Sequence, residues 1–236
     1  MKDSYKVFRD SVKGITRYYM LLVEETKSQR LVGSTNEWVL DNYYIISEQE
    51  KVMKMELKGM GKGTWGLAAS RIKLLDGLLT DYFVKCHYQV DKAMLFDYLC
   101  GVQSANGDYL AYPEVCALLP LAKNVLIREL AKLCAEMEAD GAYHYSVTAK
   151  EGAYMNHLNE AARRNLMMMN IFNTLKKMTK LPMAELIDAV SFSEKALKEE
   201  KADMYDQMQD KTKEDYRAKV VRLCRKRKVK EYDMVK

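Results

Sequence analysis

Apolar side chains recur every three to four residues along most of the chain, which is the spacing of amphipathic helices. The pattern predicts a first helix over residues 4–30, with the following apolar stripe: Tyr5, Phe8, Val12, Ile15, Tyr19, Leu22 and Val23. Gly33 interrupts it, and Ser34 or Thr35 is placed to cap a second helix over 36–57.

The same spacing predicts a third helix over 67–85 and a fourth over 91–103. Between the second and third helices lies a cluster of four glycines: Gly59, Gly61, Gly63 and Gly66. Neither a preceding strand nor a following Gly-Lys-Ser/Thr accompanies this cluster, so a flexible connection is favoured over a phosphate loop. Asn106-Gly107-Asp108 is a turn signal that here joins two helices.

The most apolar stretch of the chain covers 112–139. Pro113 suits the first turn of a helix, whereas Pro120 removes a backbone donor from a helix interior. We therefore expect a short helix over 113–119, a break, and a long helix over 120–138. Its buried stripe is predicted to consist of Leu121, Val125, Leu126, Leu130, Leu133 and Met137.

The remaining pattern predicts four more elements. They are a helix over 148–180 with Thr148 as cap, a helix over 182–200 opened by Pro182, a helix capped by Asp210 or Thr212 and ending near 227, and a short helix from about Lys230. A turn over 203–209 precedes the third of these elements. The fold class predicted is all-α, an irregular bundle of about eight to ten helices forming one domain over 1–236, with a subdivision near 140–150 as an alternative.

Composition agrees with a globular helical protein. Hydrophobic residues make up 48% and charged residues 30% of the chain, with only 3 prolines and 11 glycines. No stretch approaches 18 apolar residues and the N-terminus has no apolar core of a signal peptide, so we expect neither a membrane span nor a leader. These features are typical of a cytoplasmic protein.

The formal net charge is +5, and much of the excess lies near the end of the chain. The basic residues there are Arg222, Arg225, Lys226, Arg227, Lys228 and Lys230. A nucleic-acid-binding protein would normally carry a basic stripe along more of its fold, so no nucleic-acid partner is expected. An anionic lipid surface or an acidic partner is the alternative for this basic segment.

Metal, cofactor and nucleophile motifs are missing from the sequence. The five cysteines are widely spaced and without Cys-x-x-Cys, which favours free thiols in a reducing compartment over a disulfide framework. The three histidines do not stand at metal-ligand spacing, and neither Glu-x-x-His nor Gly-x-Ser-x-Gly occurs. We therefore assign no catalytic residue, no metal and no cofactor.

Three ordered segments of the chain match the motifs of one known family. The first is Asn36–Gln49, which is similar to a family motif built around Glu-Trp and Asp-Asn. The second runs from Tyr109 to Leu130, and the third from Ser191 to Arg217 with the pattern Asp203-Met204-Tyr205 inside it. Together the three segments cover most of residues 36–236, and they resemble the cytoplasmic helical region of cyclic β-1,2-glucan synthases.

The resemblance has departures. The family has Glu-Leu-Trp where this chain has Glu114-Val115-Cys116, and a proline-rich segment where this chain has its glycine cluster. The family's Thr-Arg-Asp is replaced by Thr212-Lys213-Glu214. The resemblance therefore indicates a distant branch.

In that family the helical region precedes membrane helices, a processive glucosyltransferase domain that uses UDP-glucose, and a phosphorylase-like domain. The resemblance implies an accessory region that scaffolds or docks such a membrane-bound transferase, at the inner face of the cell membrane as part of a larger protein. Its implied partners are the transferase domain, glucan and UDP-glucose. It transfers no catalytic residue to this chain.

Six residues in the matched segments are candidates for binding: Trp38, Asp41, Asn42, Tyr112, Glu114 and Arg128. Trp38, Asp41 and Asn42 share one helical surface, and Arg128 with its neighbour Glu129 lies in an apolar helix where charges need partners. One interpretation is an inter-helix polar network with Trp38 as its apolar anchor. The other is a sugar or nucleotide site, in which Trp38 or Tyr112 stacks on a ring and the polar side chains bind hydroxyls.

Three function hypotheses remain at this point. The first is the accessory module of a glucan synthase, and the second is a free-standing module that binds a carbohydrate or a protein helix. The third, a small enzyme with unrecognised machinery, has the least support from the sequence.

Overall fold

A computed structural model describes residues 2–28, 33–60, 66–144, 151–200 and 202–235. Within these ranges the chain is all-α, as predicted, with ten helices of five or more residues and one single-turn helix, and without strands. The helices are α1 Lys2–Lys27, α2 Ser34–Gly59, α3 Ala69–Lys85, α4 Lys92–Asn106, α5 Tyr112–His144, α6 Glu151–Lys180, α7 Met183–Val190, α8 Phe192–Glu200, α9 Ala202–Tyr205, α10 Asp210–Arg227 and α11 Glu231–Val235.

The fourth helix, predicted over 91–103, extends to Asn106 and has a capping residue at each end. Asp91 precedes α4 in an extended conformation, and its carboxylate accepts a hydrogen bond from the backbone N–H of Met94 at 2.9 Å. Gly107 ends α4 with a φ of 58°, a left-handed conformation that glycine adopts without a steric penalty. The turn predicted at Asn106-Gly107-Asp108 is thereby confirmed.

α5 is one continuous helix through Pro120, and the break predicted at that residue is wrong. Proline removes one backbone hydrogen bond from a helix interior. The residues on both sides of it are buried, among them Leu118 and Leu121, so tertiary packing outweighs the local preference for a break. Of the six residues predicted for the buried stripe of this region, five are buried, with Leu126 and Leu130 fully so, and Met137 is partly buried.

The single helix predicted over 182–200 is instead two helices, α7 and α8. Pro182 stands just before α7 rather than inside it. Ser191 separates the two helices with an extended ψ of 109°, and its hydroxyl accepts a hydrogen bond from the N–H of Glu194 at 3.1 Å. A serine that caps the following helix can divide one apolar pattern into two helices, and periodicity alone does not show this.

Two predicted caps are also wrong. Gly33 precedes α2 and Gln209 precedes α10, and neither helix start has a side-chain capping bond. The proposed cap Thr148, two of the four glycines of the cluster (Gly61 and Gly63) and part of the predicted subdivision near 140–150 lie outside the described residues.

α5 is the central helix of the core. It packs against α1, α2, α3, α6 and α7, and from Val115 to Leu133 most of its side chains are buried on all sides. α11 packs on α8 and α10 beside the N-terminal end of α5. α5 therefore connects the core to the elements that form the candidate site.

The turn after α3 contains two consecutive left-handed residues, His87 with φ 48° and Tyr88 with φ 60°. α6 holds this turn in place. Asn170 donates to the carbonyl of His87 at 3.0 Å, and Thr174 donates to the carbonyl of Tyr88 at 2.6 Å. Buried side-chain bonds thus support a backbone conformation that non-glycine residues adopt at a cost of about 1 to 2 kcal/mol each.

All five cysteines are free, as predicted, with Cys134 and Cys224 buried and the other three partly buried. None of the helices in the described ranges combines the length and the apolar character that crossing a membrane requires.

Candidate functional site

The N-terminal end of α5 carries two of the candidate residues, Tyr112 and Glu114. The Glu114 carboxylate accepts a hydrogen bond from the N–H of Ala111 at 2.8 Å, which is half of a capping box. The N–H of Tyr112 donates at 2.7 Å to the carboxylate of Glu231, a residue of α11. Two carboxylates therefore satisfy the positive end of the central helix.

Arg71 of α3 also binds the carboxylate of Glu114. Its guanidinium donates to both oxygens of Glu114 and, at 2.9 Å, to Asp108. Lys230 also approaches Asp108, at 3.3 Å. The hydrogen bond from Arg71 holds the pKa of Asp108 below its usual range, and the same contacts raise the pKa of Arg71. This cluster fixes α3 against the start of α5.

Behind Tyr112 lies a buried ion pair between α8 and α10. Arg217 donates to both oxygens of Glu194, at 2.9 and 2.5 Å, and the Tyr205 hydroxyl donates to the same carboxylate at 3.0 Å. The Arg217 guanidinium also lies over the Tyr112 ring, 5.1 Å from its centre. Tyr112 therefore packs against an arginine of the protein itself.

An open cleft of about 510 Å³ lies between α3, the start of α5 and the end of α10. We call it the basic cleft, and its charged residues are Arg71, Asp108, Glu114, Arg225, Lys228, Lys230 and Glu231. Most of these charges already have partners, and Arg225 donates to the carbonyl of Gly66 at 2.7 Å. Lys228 is exposed and has a left-handed φ of 56°.

Glu231 is buried at the edge of the basic cleft. Burial raises the pKa of its carboxyl group, and the charge of Glu114 acts in the same direction, while the hydrogen bond from Tyr112 opposes both. The carboxylate that caps α5 is therefore easier to protonate than an exposed glutamate.

The second half of α10 and the turn after it form a strongly basic surface. Residues 216–230 contain eight lysines and arginines and no acidic residue. On the outer side of α10 we define the α10 basic face, made up of Tyr216, Lys219, Arg222, Leu223, Lys226 and Arg227, all exposed. Leu223 is 47% exposed, so the face combines apolar and basic side chains.

Arg128, another of the six candidates, lies in the middle of α5 and binds α3. It donates twice to Asp76, at 2.9 and 3.1 Å, and once to Thr80 at 2.7 Å. Its neighbour Glu129 accepts from Tyr88 at 3.3 Å and pairs with Lys132. The inter-helix polar network proposed for these charges is present, with α3 residues as the partners.

The remaining candidates on α2 form no such network. Asn42 is buried, but its amide donates to the carbonyl of Trp38 within the same helix, at 2.9 Å. Asp41 is exposed, and Trp38 is half-buried against the core. The part of the network interpretation that joined Asp41 and Asn42 to other helices is therefore wrong, and Trp38 acts as an apolar packing residue.

The candidate residues also lie at two ends of the bundle. Asn36, at the start of α2, is bonded to Tyr18, which neighbours Cys134 near the end of α5. Glu56, near the end of α2, pairs with Lys123. The start of α2 therefore lies beside a part of α5 that is about 20 residues along that helix from its first residue. This corresponds to a distance on the order of 30 Å. The structure does not bring the α2 residues together with Tyr112 and Glu114 as one sugar site would require.

The cysteine thiols near these clusters are poorly suited to act as nucleophiles. Burial raises the pKa of Cys116 to about 11 and that of Cys134 to about 12, so both thiols stay protonated at neutral pH. Among the described residues no three His, Cys, Asp or Glu side chains are grouped to hold a metal ion. The carboxylates of Glu114 and Glu231 accept hydrogen bonds from the backbone at the start of α5, and Glu114 also binds Arg71.

Sequence reasoning missed the residues that complete these clusters: Arg71, Asp76, Asp108, Glu194, Arg217 and Glu231. Glu194 and Arg217 lie in the third family-like segment, and that position was the only signal that singled them out. Arg71, Asp76 and Glu231 come from segments distant in sequence from their partners, with Arg71 43 residues from Glu114. Asp108 lies in the turn before α5.

The chain was compared with protein-family models, curated proteins and solved structures. Neither a protein-family model, nor a curated protein, nor a solved structure matches it.

Proposed function

We propose that this chain is a non-catalytic accessory module that docks on an anionic membrane surface through the α10 basic face. The observation that carries the proposal is the stretch 216–230, which has no acidic residue and in which seven of the eight basic residues are exposed. Basic clusters of this size on an amphipathic helix bind anionic lipid at about 1 kcal/mol per residue near the surface.

Two further features support a membrane rather than a purely ionic partner. Leu223 is 47% and Val229 44% exposed, next to the basic side chains, so apolar groups can enter the lipid interface. The α10 helix itself is anchored by the buried pair of Arg217 and Glu194. The surface is therefore presented on a firmly held helix.

The resemblance to the cytoplasmic region of cyclic β-1,2-glucan synthases supports a specific setting for this docking. A module beside a membrane-bound glucosyltransferase would use such a face to lie against the inner leaflet. In that setting the chain scaffolds the transferase, and the enzymatic steps belong to the transferase. A free-standing module that binds carbohydrate or protein is the alternative.

Vesicle sedimentation tests the docking. We expect the purified chain to bind vesicles containing phosphatidylglycerol, to release them as salt is raised, and to leave neutral phosphatidylcholine vesicles unbound. Replacing Lys219, Arg222 and Lys226 by glutamate should weaken binding on the order of 100-fold, because three favourable contributions of about 1 kcal/mol each are lost.

A matched control separates the α10 basic face from net charge. Glutamate at Lys13, Lys51 and Lys54, which are exposed on α1 and α2, changes the formal net charge of +5 by the same six, to −1. This control should retain most of the vesicle binding. Equal losses in the two triple variants, or equal binding to neutral vesicles, would refute docking through α10. Calorimetry with β-1,2-glucan oligomers tests the carbohydrate alternative.

A further inference from the structure

The basic cleft contains charged groups of both signs whose hydrogen-bonding capacity is only partly used among the described residues. Its other two carboxylates are paired, since Arg71 binds both Glu114 and Asp108. Glu231 and Lys228 also line the cleft, and neither has an ion pair among the described residues. The volume of the cleft, about 510 Å³, falls within the range of small-molecule sites, about 300 to 1,000 Å³.

Glu231 supplies the negative group. It is 7% exposed and lines the cleft. One carboxylate oxygen accepts the hydrogen bond from Tyr112, whereas the other, Oε1, has no donor among the described residues and remains in contact with solvent. Burial raises the pKa of this carboxyl group, as expected for a carboxylate with too few donors. A donor carried by a ligand can therefore bind Oε1.

Two cations at the end of α10 supply the positive groups. Lys228 is exposed, and its ammonium has no acceptor among the described residues. Arg225 donates to the carbonyl of Gly66 through Nη2, and its remaining N–H groups have no acceptor in the described part of the chain. The charge of Arg225 lowers the pKa of Glu231, so these two side chains act on each other electrostatically. The two cations exceed the one unpaired carboxylate by one positive charge.

A ligand of a single sign would meet repulsion in this arrangement. An anion at Lys228 and Arg225 is repelled by Glu231, and a cation at Glu231 is repelled by the two basic side chains. A molecule that carries both signs can satisfy all three side chains at once. An ammonium suits the carboxylate because it has three N–H donors, and a phosphate suits the guanidinium and the lysine.

We propose that the basic cleft binds a small zwitterion in which a short linker joins a primary ammonium to a phosphate, as in phosphoethanolamine. The ammonium donates to Oε1 of Glu231, and the phosphate binds Lys228 and Arg225. This chemistry occurs both in a free small molecule and in a phospholipid headgroup. The site is separate from the α10 basic face, because none of the residues that define that face lines the cleft.

Calorimetry on the full chain with three soluble probes tests the proposal. Phosphoethanolamine carries both groups, phosphocholine has the same groups but no N–H donor, and inorganic phosphate has no cation. We expect phosphoethanolamine to bind at least tenfold more tightly than either of the other two. Absence of saturable binding at millimolar phosphoethanolamine, or equal affinity for phosphocholine, would overturn the proposal.

Glu231→Gln separates a ligand contact from a structural role. Affinity for phosphoethanolamine should fall at least tenfold, affinity for phosphate should not fall, and the melting temperature at pH 7 should not fall either. The matched control is Glu185→Gln, which makes the same chemical change at an exposed carboxylate that does not line the cleft. Equal losses of phosphoethanolamine binding in the two variants would overturn the role of Glu231.

Lys228→Gly tests the position of the phosphate. Glycine adopts the left-handed φ of 56° found at this residue, so the variant removes the ammonium without straining the backbone. Affinity for phosphoethanolamine and for phosphate should both fall about three- to fivefold, the range of a single exposed charge. Unchanged affinity for both probes would contradict this position.

Two further measurements separate the sources of the ligand and the two surfaces. Retention on phosphatidylcholine vesicles that contain phosphatidylethanolamine, lost in Glu231→Gln, assigns the ligand to a lipid headgroup, whereas binding of the soluble probe alone assigns it to a free small molecule. Both results support the site. Replacing Lys219, Arg222 and Lys226 by glutamate should preserve binding of soluble phosphoethanolamine, so failure of membrane docking and failure of the cleft site are distinguishable.

Discussion

Removing the buried carboxylate of Glu194 should destabilise the protein far more than removing an exposed one. Glu194 has a side chain only 2% exposed and accepts two bonds from Arg217, whose side chain is 15% exposed. It also accepts the hydroxyl proton of Tyr205. Glu194→Ala therefore leaves a largely buried guanidinium and a buried phenol without their acceptor.

The expected loss follows from the burial. Truncating one partner of a buried ion pair costs about 3 to 5 kcal/mol, because the other charge stays desolvated without compensation. Burial alone acts to lower the pKa of Arg217, but the hydrogen bonds and charge of Glu194 outweigh burial and raise it. Since Arg217 retains some exposure and can gain water, we expect the lower end, about 3 kcal/mol. For a chain of this length that is a fall in melting temperature of roughly 6 to 12 °C.

Urea unfolding followed by circular dichroism measures this loss. The control is Glu185→Ala, which breaks an ion pair with Lys92 of similar length, 2.8 Å, whose side chains are 47% and 59% exposed. An exposed pair contributes about 0.2 to 1 kcal/mol, so the control should change the free energy of unfolding by less than 1 kcal/mol. Equal midpoints for the two variants would refute the reasoning.

A double replacement sharpens the test. Glu194→Met with Arg217→Met removes both charges and keeps the volume apolar, so its loss should be smaller than that of Glu194→Ala alone. A double variant that loses the sum of the two single losses would mean that the two charges do not stabilise each other.

Three other changes have expected outcomes. Glu231→Gln should raise the free energy of unfolding at pH 7, because the raised pKa of Glu231 means that its ionised form destabilises the folded state. The advantage of the variant should disappear as the pH falls toward 4.5, where Glu231 of the original protein becomes protonated. Urea titrations at several pH values check this. His87→Gly should stabilise the folded protein by about 0.5 to 1 kcal/mol and Gly107→Ala should destabilise it by about 1 kcal/mol, since both residues have a left-handed backbone conformation. Thermal unfolding compares the two variants, and a change of the same sign in both would contradict the reasoning. Leu126→Ala should cost about 3 kcal/mol, because Leu126 is fully buried in α5; a loss below 1 kcal/mol in urea unfolding would be inconsistent with its place in the core.

The helices of this protein could be predicted from apolar spacing, but their ends could not. The apolar pattern is continuous across Ser191, so the division between α7 and α8 depends on one hydroxyl that caps α8. At Pro120 the local rule predicts a break, and the burial of Leu118 and Leu121 overrides it. Periodicity reports which face is buried, whereas helix ends depend on individual hydrogen bonds.

The candidate site was harder to predict because its pairs are far apart in sequence. Glu114 and Arg128 stood out as charges in an apolar helix, and both do need partners. Their partners, Arg71 and Asp76, lie on α3, 43 and 52 residues away. Nothing in the local sequence of α3 marks them as partners, since a charged residue on a predicted amphipathic helix normally faces water.

The charges that looked most functional in the sequence are the ones that the fold itself uses. Glu114 and Arg128 are bound by α3, so a ligand would have to break existing pairs before binding them. Binding energy is available where polar groups have no partner in the fold. Among the described residues, exposed groups of this kind include the cations Lys219, Lys226 and Arg227 of the α10 basic face. The search for ligands should therefore begin at the α10 basic face. The second and third family-like segments supply contacts of the fold itself, which hold α3 on α5 and α8 on α10.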